Sequence, residues 1–132
     1  MSSLLLSDTT GHWNFTGEPT RADGWYGSSD GHHTISVQVH EFIGRIHLEA
    51  SLVEKPTEAD WFNVAVPNFG DYIQYPRQPS TLNGKETSTI AFNVQINAAW
   101  FRIRLDRTYL NITVLPENRS NYGTVGKILL SR

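Results

Sequence analysis

Residues 34–40 admit little besides a β-strand: Ile35, Val37 and Val39 fall on one parity, and Ser36, Gln38 and His40 on the other. An extended chain points successive side chains to opposite faces, so this period of two sends the apolar residues to a core and the polar ones away from it. Residues 45–52 repeat the pattern, with Ile46, Leu48, Ala50 and Leu52 inward and Arg45, His47, Glu49 and Ser51 outward. The short connection at 41–44 ends in Gly44, so the two runs are expected to pair as a hairpin.

Alternation recurs at 61–66 (Phe62, Val64, Val66), 90–96 (Ile90, Phe92, Val94, Ile96), 100–105 (Phe101, Ile103, Leu105) and 109–114 (Leu110, Ile112, Val114). In the 100–105 run, Arg102 and Arg104 then face solvent or a partner. Weaker runs lie at 12–16 and 72–75, and an apolar run closes the chain at 125–130. No window carries the spacing of an amphipathic helix. Proline and glycine crowd 67–84, which reads as a long loop carrying one edge strand. The pattern predicts an all-β fold, an antiparallel, jelly-roll-like β-sandwich of about eight or nine strands. With no internal repeat in 132 residues, it forms a single domain over 1–132, residues 1–9 serving as an N-terminal arm or edge strand.

Composition narrows the function. The 11 Lys+Arg against 13 Asp+Glu give a net charge of −2, which offers no electrostatic pull toward nucleic acid or an anionic membrane. Leu4-Leu5-Leu6 is too short for a signal-peptide core or a membrane span, so a soluble, unexported domain is expected. The absence of cysteine removes disulfides, thiolate nucleophiles and Cys-ligated metals together. His32 and His33 are neighbours on a strand and point to opposite faces, a poor arrangement for sharing an ion. His40 and His47 sit symmetrically about the expected turn and would face each other as two exposed histidines, fewer ligands than a tight metal site needs. Glu54, Glu58 and Asp60 fall in a loop or single helical turn, where Thr57, Glu58 or Asp60 would cap rather than catalyse. No nucleophile elbow, zincin, P-loop or dinucleotide fingerprint occurs. The expectation is a non-enzyme with no metal and no cofactor.

Two features point to contacts. Trp25 and Tyr26 lie between Gly24 and Gly27, which places them in a turn as an exposed aromatic contact. Leu4, Leu5 and Leu6, and the run at 125–130 with Val125 and Leu129, are apolar on both parities. Strands of that kind are either covered within the domain, Leu4 to Leu6 then closing its own core, or completed by another subunit; these residues are expected at or beside subunit contacts, with the last strand integral to the sheet.

The strings Ala22-Asp23-Gly24-Trp25-Tyr26-Gly27, Asp30-Gly31-His32-His33-Thr34-Ile35, Phe42-Ile43-Gly44-Arg45-Ile46, Pro56-Thr57-Glu58-Ala59-Asp60-Trp61-Phe62, Trp100-Phe101-Arg102-Ile103-Arg104 and Gly126-Lys127-Ile128-Leu129-Leu130 follow one another in the chain. In order and spacing, over about residues 10–132, they resemble small β-rich domains of virion structural proteins in marine, cyanophage-like tailed bacteriophages. The resemblance implies a component of a head, neck or tail, located in the virion, that docks to other virion structural proteins and self-associates as a homo-oligomer. In that setting Gly44 and Gly126 read as points of close backbone approach. The competing class is a carbohydrate-binding module that recognises a host glycan on exposed aromatics.

Overall fold

The structure, a computed structural model, describes residues 2–7, 9, 12–22, 31–77, 85–110 and 121–131. Among them are ten strands and no α-helix: β1 (Ser2–Ser7), β2 (Phe15–Thr16), β3 (Thr20–Arg21), β4 (His32–Phe42), β5 (Gly44–Ser51), β6 (Phe62–Asn63), β7 (Ile73–Tyr75), β8 (Glu86–Gln95), β9 (Trp100–Asp106) and β10 (Thr124–Ser131). One sheet has the order β1-β10-β4-β8. In the other, β9 and β5 form the centre, β2 and β3 both pair with β9, and β6 and β7 both pair with β5. All strand pairs are antiparallel.

β2 and β3 are two halves of one strand broken at Glu18-Pro19, and β6 and β7 are halves of another broken by the turn between Val66 and Gly70. Counted in this way, eight strand positions form two sheets of order 1-8-3-6 and 2-7-4-5, the arrangement of a jelly roll. The expected antiparallel β-sandwich is therefore the fold. The edge strand expected within 67–84 is β7; of the strand expected over 109–114, Tyr109 lies in a turn and Leu110 in no strand, while 111–114 and the turn of Trp25 and Tyr26 fall outside the described residues.

The core lies between the sheets. Ile35, Val37, Val39, Ile128 and Leu130 come from one, and Ile46, Leu48, Ala50, Phe101, Ile103 and Leu105 from the other, each at most 2% exposed. The run at 61–66 keeps its pattern only in part: Val64 and Val66 are buried, but Phe62 is 39% exposed at the end of the broken edge strand. Leu52, expected inward, is exposed because β5 ends at Ser51.

Apolar residues on both parities in the first and last strands have a different cause from the one expected. Between Leu4 and Leu6 the register of β1 against β10 shifts, Leu4 facing Leu129 and Leu6 facing Ile128, so Leu5 is the extra residue of a β-bulge. A bulge lets neighbouring residues turn the same way, and Leu5 and Leu6 are both buried while Leu4 is exposed. A second shift, between Val125 and Lys127 against β4, makes Gly126 the extra residue of β10 and turns Val125, Ile128 and Leu130 all inward. Val125, expected at a contact, thus lies wholly within the domain's own core. β10 is bonded on both sides, by β1 and β4, and is integral to its sheet.

The expected hairpin is absent. β4 pairs with β10 and β8, and β5 with β9, β6 and β7, so residues 41–44 carry the chain from one sheet to the other. Two strands facing a shared core from opposite sheets show the same alternation as two strands side by side, which is why the pattern alone misleads. The crossing is sharp: the β4 register shifts between Val39 and Phe42, and Glu41 adopts a φ of 46°. His40 and His47 consequently stand in different sheets, the first exposed and the second 7% exposed. At Gly44 a Cβ would sit 2.8 Å from the Phe42 ring, and at Gly126 one would sit 2.9 Å from the Gln38 side chain. Both are close approaches.

Arg107, which follows β9, ties this corner together. It is 2% exposed. Its Nε donates to the Ile43 carbonyl at 2.8 Å, and one terminal nitrogen donates to the carbonyls of Tyr122 and Gly123 at 2.9 and 2.7 Å. The other reaches the His12 carbonyl at 3.4 Å, and the Arg107 backbone N–H donates to Asn14 Oδ1 at 2.8 Å. The rings of Trp13 and Phe42 lie 5.0 and 4.9 Å from the guanidinium carbon. Burial lowers the pKa from 12.5 to about 10, so the side chain stays charged at neutral pH. Gly123 packs so closely, at a φ of 72°, that a Cβ would overlap the Glu41 carbonyl.

Replacing Arg107 with methionine would keep much of the apolar stem and take the guanidinium away from four carbonyls, of which that of Tyr122 keeps a backbone partner, the Ile43 N–H. An Arg107→Met variant should lose about 3–5 kcal/mol of stability, read as a lower urea midpoint at unchanged slope. A midpoint equal to that of the parent protein would remove Arg107 from this role.

Candidate functional site

The outward face of β5 and β9 carries a ladder of charged residues. Register places Arg45 opposite Asp106, His47 opposite Arg104, Glu49 opposite Arg102 and Ser51 opposite Trp100, so three rungs in succession bring polar partners together. Glu49 is shared: Oε1 accepts from Arg102 Nε at 2.7 Å and Oε2 from Arg104 Nε at 3.0 Å. Arg102 also holds both oxygens of Glu58, each at 3.1 Å, in a two-pronged pair, and its guanidinium carbon lies 4.3 Å from the centre of the Trp61 ring. Arg104 reaches Asp106 at 3.6 Å. At the far end Arg45 is sandwiched between the rings of Tyr72 and Tyr109, 4.4 and 4.0 Å away, with its Nε donating to Gln74 at 2.8 Å.

Arg102, expected to face solvent or a partner, is therefore buried, at 7% exposure, beneath Trp61 and between two carboxylates. The loop that follows β5 makes this possible. Glu58–Asp60 forms a single 3-10 turn, and Asp60 accepts hydrogen bonds from the Thr57 backbone N–H at 2.7 Å and the Thr57 hydroxyl at 3.0 Å. The capping expected of Thr57 and Asp60 is present, but Glu58 has a further task as the ion partner of Arg102. That contact holds the Glu58 carboxyl below its ordinary range. For Arg102, burial opposes the charge, yet Glu58 and Glu49 outweigh it and raise the pKa.

His47 is the imidazole of the ladder. Nδ1 lies 3.2 Å from Asn63 Oδ1, which fits a proton on Nδ1. Among the described residues Nε2 has no hydrogen-bond partner, and it sits 3.7 Å from Asp106 Oδ2. Burial, and then Arg104, hold the imidazole below its ordinary value of 6.5, against the opposing pull of Asn63, Asp106 and Glu49. At Asp106 burial opposes ionisation, but hydrogen bonds from Thr108 with the fields of Arg104 and His47 keep the carboxyl below its usual value.

Two of the openings beside the second sheet bear on binding. The ladder ends at a cleft of about 540 Å³, lined by Trp61, Trp100 and Arg102 together with Glu18, Pro19 and the loop at 54–56. Trp100 Nε1 donates to the Glu54 carbonyl at 2.9 Å, which ties that loop to β9. The other opening, of about 320 Å³, runs between β1 and β2, the outermost strands of the two sheets on one side of the sandwich. Leu4, Leu5, Leu6 and Phe15 supply its apolar wall.

Of the residues expected to make contacts, Leu4, Leu5 and Leu6 share this groove, Leu4 at 53% exposure, while Leu129 is half-buried across the strand from Leu4. Trp25 and Tyr26 lie outside the described residues. His32 is exposed and His33 is buried, its Nδ1 2.8 Å from the Gly31 carbonyl and its ring edge-on to Phe101. Among the described residues no three His, Asp or Glu side chains gather to hold a metal ion. The ladder was missed because its signal is spread over two distant segments: Arg-x-His-x-Glu at 45–49 complements Arg-x-Arg-x-Asp at 102–106 only once β5 is known to pair with β9. Compared with protein-family models, with curated proteins and with solved structures, the chain gives no match.

The lowered pKa of His47 has a definite sign. Above pH 6.5 both folded and unfolded states hold it neutral, and it leaves stability unchanged. As pH falls below 6.5 the unfolded chain takes up the proton first, so stability drops. Asp106 and Glu58 add their loss only below their ordinary values of 3.8 and 4.5. The melting temperature should therefore fall as the pH drops below 6.5, before the carboxylates begin to protonate, and His47→Gln should flatten that segment. Parallel melting profiles for the two proteins over this interval would rule it out.

Proposed function

We propose that this domain acts by binding rather than catalysis, as a structural component of a tailed-phage virion that docks to neighbouring virion proteins and to copies of itself. The observation that carries this reading is the apolar groove beside β1, walled by Leu4, Leu5, Leu6 and Phe15. Among the described residues β1 is the outermost strand of its sheet and pairs with β10 alone, so an extended segment of a neighbouring subunit could join the sheet there and lay its apolar side chains in the groove. The jelly-roll order supports the reading by analogy, since viral capsid domains use it, as lectins do. Many copies in a symmetric particle would multiply a modest contact.

Leu5 and Leu6 close the domain's own core, and removing the first strand would therefore unfold the protein whether or not it docks. Leu4 is the informative position, because it lines the groove while 53% exposed. Leu4→Asp should weaken self-association, measured by sedimentation equilibrium, and incorporation into particles, imaged by cryo-electron microscopy, by about tenfold or more. Its melting temperature should stay within a few degrees of the parent's, as expected for a surface change of about 0.5 kcal/mol or less. A variant that assembles like the parent, or a parent that stays monomeric and off the particle, would sink the reading.

A further inference from the structure

We propose that the cleft between Trp61 and Trp100 is a carbohydrate subsite that takes pyranose rings of a neutral oligosaccharide. A pyranose has an apolar C–H face and a rim of hydroxyls, so its binding site needs flat apolar surfaces beside polar groups held in fixed directions. Two half-buried indoles line this cleft. Indole rings offer broad apolar contact at small conformational cost.

The polar part is built in advance. Arg102 is 7% exposed, its Nε is held by Glu49 at 2.7 Å, both terminal nitrogens are held by Glu58 at 3.1 Å, and its plane lies over Trp61. A guanidinium anchored at three nitrogens loses almost no freedom when a ligand arrives, which removes an ordering cost that flexible surface arginines incur. Glu58, whose side chain is 87% exposed, presents its carboxylate to the cleft as an acceptor for hydroxyl groups. The volume of about 540 Å³ lies within the range of about 300–1,000 Å³ found for small-molecule sites.

Charge selects among sugars. Glu58 neutralises Arg102, and of the remaining charged groups lining the cleft, Glu18 and Glu54 outnumber Lys55. Uronic acids, sialic acids and phosphorylated sugars would meet net negative charge, whereas neutral hexoses and N-acetylhexosamines would not.

Saturation-transfer difference NMR tests this with the folded protein and five probes: cellobiose, maltose, lactose, N,N′-diacetylchitobiose and glucuronic acid. At least one neutral disaccharide should receive saturation at its ring C–H protons with a dissociation constant of about 1 mM or tighter. Binding should weaken about tenfold in Trp100→Ala and in Trp61→Ala. Should either variant fail to fold by circular dichroism, Glu54→Ala and Glu58→Ala, both at exposed positions, should weaken it at least about threefold. No transfer to any neutral probe, binding unaltered in the variants, or tighter binding of glucuronic acid would each overturn the proposal. Leu4 lines the neighbouring groove and not the cleft, so Leu4→Asp should leave sugar binding unchanged, and docking and sugar binding can fail independently.

Discussion

A buried cation that pairs with no carboxylate among the described residues holds the end of the sandwich where the chain changes sheets. Between β4 and β5 the backbone leaves one ladder before it joins another, and the segments at 12–14 and 121–123 pass through the same corner. Of the carbonyls gathered there, that of Tyr122 also accepts from the Ile43 N–H, and buried acceptors left without donors are costly. Arg107 serves four of them with one planar group. Lysine could not replace it, because a compact ammonium does not fork across acceptors from separate loops. Gly123 belongs to the same solution, since only a residue without Cβ lets that backbone lie against Glu41.

The outer face of β5 and β9 follows a different logic. Glu49 pairs with Arg102 and Arg104, Arg104 also reaches Asp106, and the network is drawn inward by Trp61, Tyr72 and Tyr109. Paired charges withdrawn from water contribute little net stability, because desolvation offsets most of their attraction. What they contribute is rigidity, since Glu49 cannot move without releasing both Arg102 and Arg104. That face is consequently a stiff surface with prearranged donors and acceptors, and the cleft at its end inherits that stiffness.

The inner faces were legible in the alternation itself. Ile35, Val37 and Val39, then Ile46, Leu48 and Ala50, then Phe101, Ile103 and Leu105 all point to the core as their parity requires. Alternation reports only which side of a strand is dry, and it is silent about which strand lies alongside, so β4 and β5 read as a hairpin although they belong to opposite sheets. It also assumes unbroken register, which Leu5 and Gly126 violate. The polar site was hidden for a related reason: His47, Glu49 and Arg102 occupy outward parity yet are buried, because their cover comes from one another and from rings distant in sequence.

The pairing of β1 with β10 sets the order in which this molecule can be completed. Ser2 lies opposite Ser131, so the first strand finds its neighbour only after the last has been synthesised. β10 also fills the gap between β1 and β4, and until it arrives β1 has no place in its sheet. Loop closure over that separation is slow compared with local strand pairing. On the ribosome, Leu5 and Leu6 therefore wait for this cover until the segment at 124–131 has emerged. During that interval the nascent domain presents to its surroundings the leucines that the finished one keeps inside.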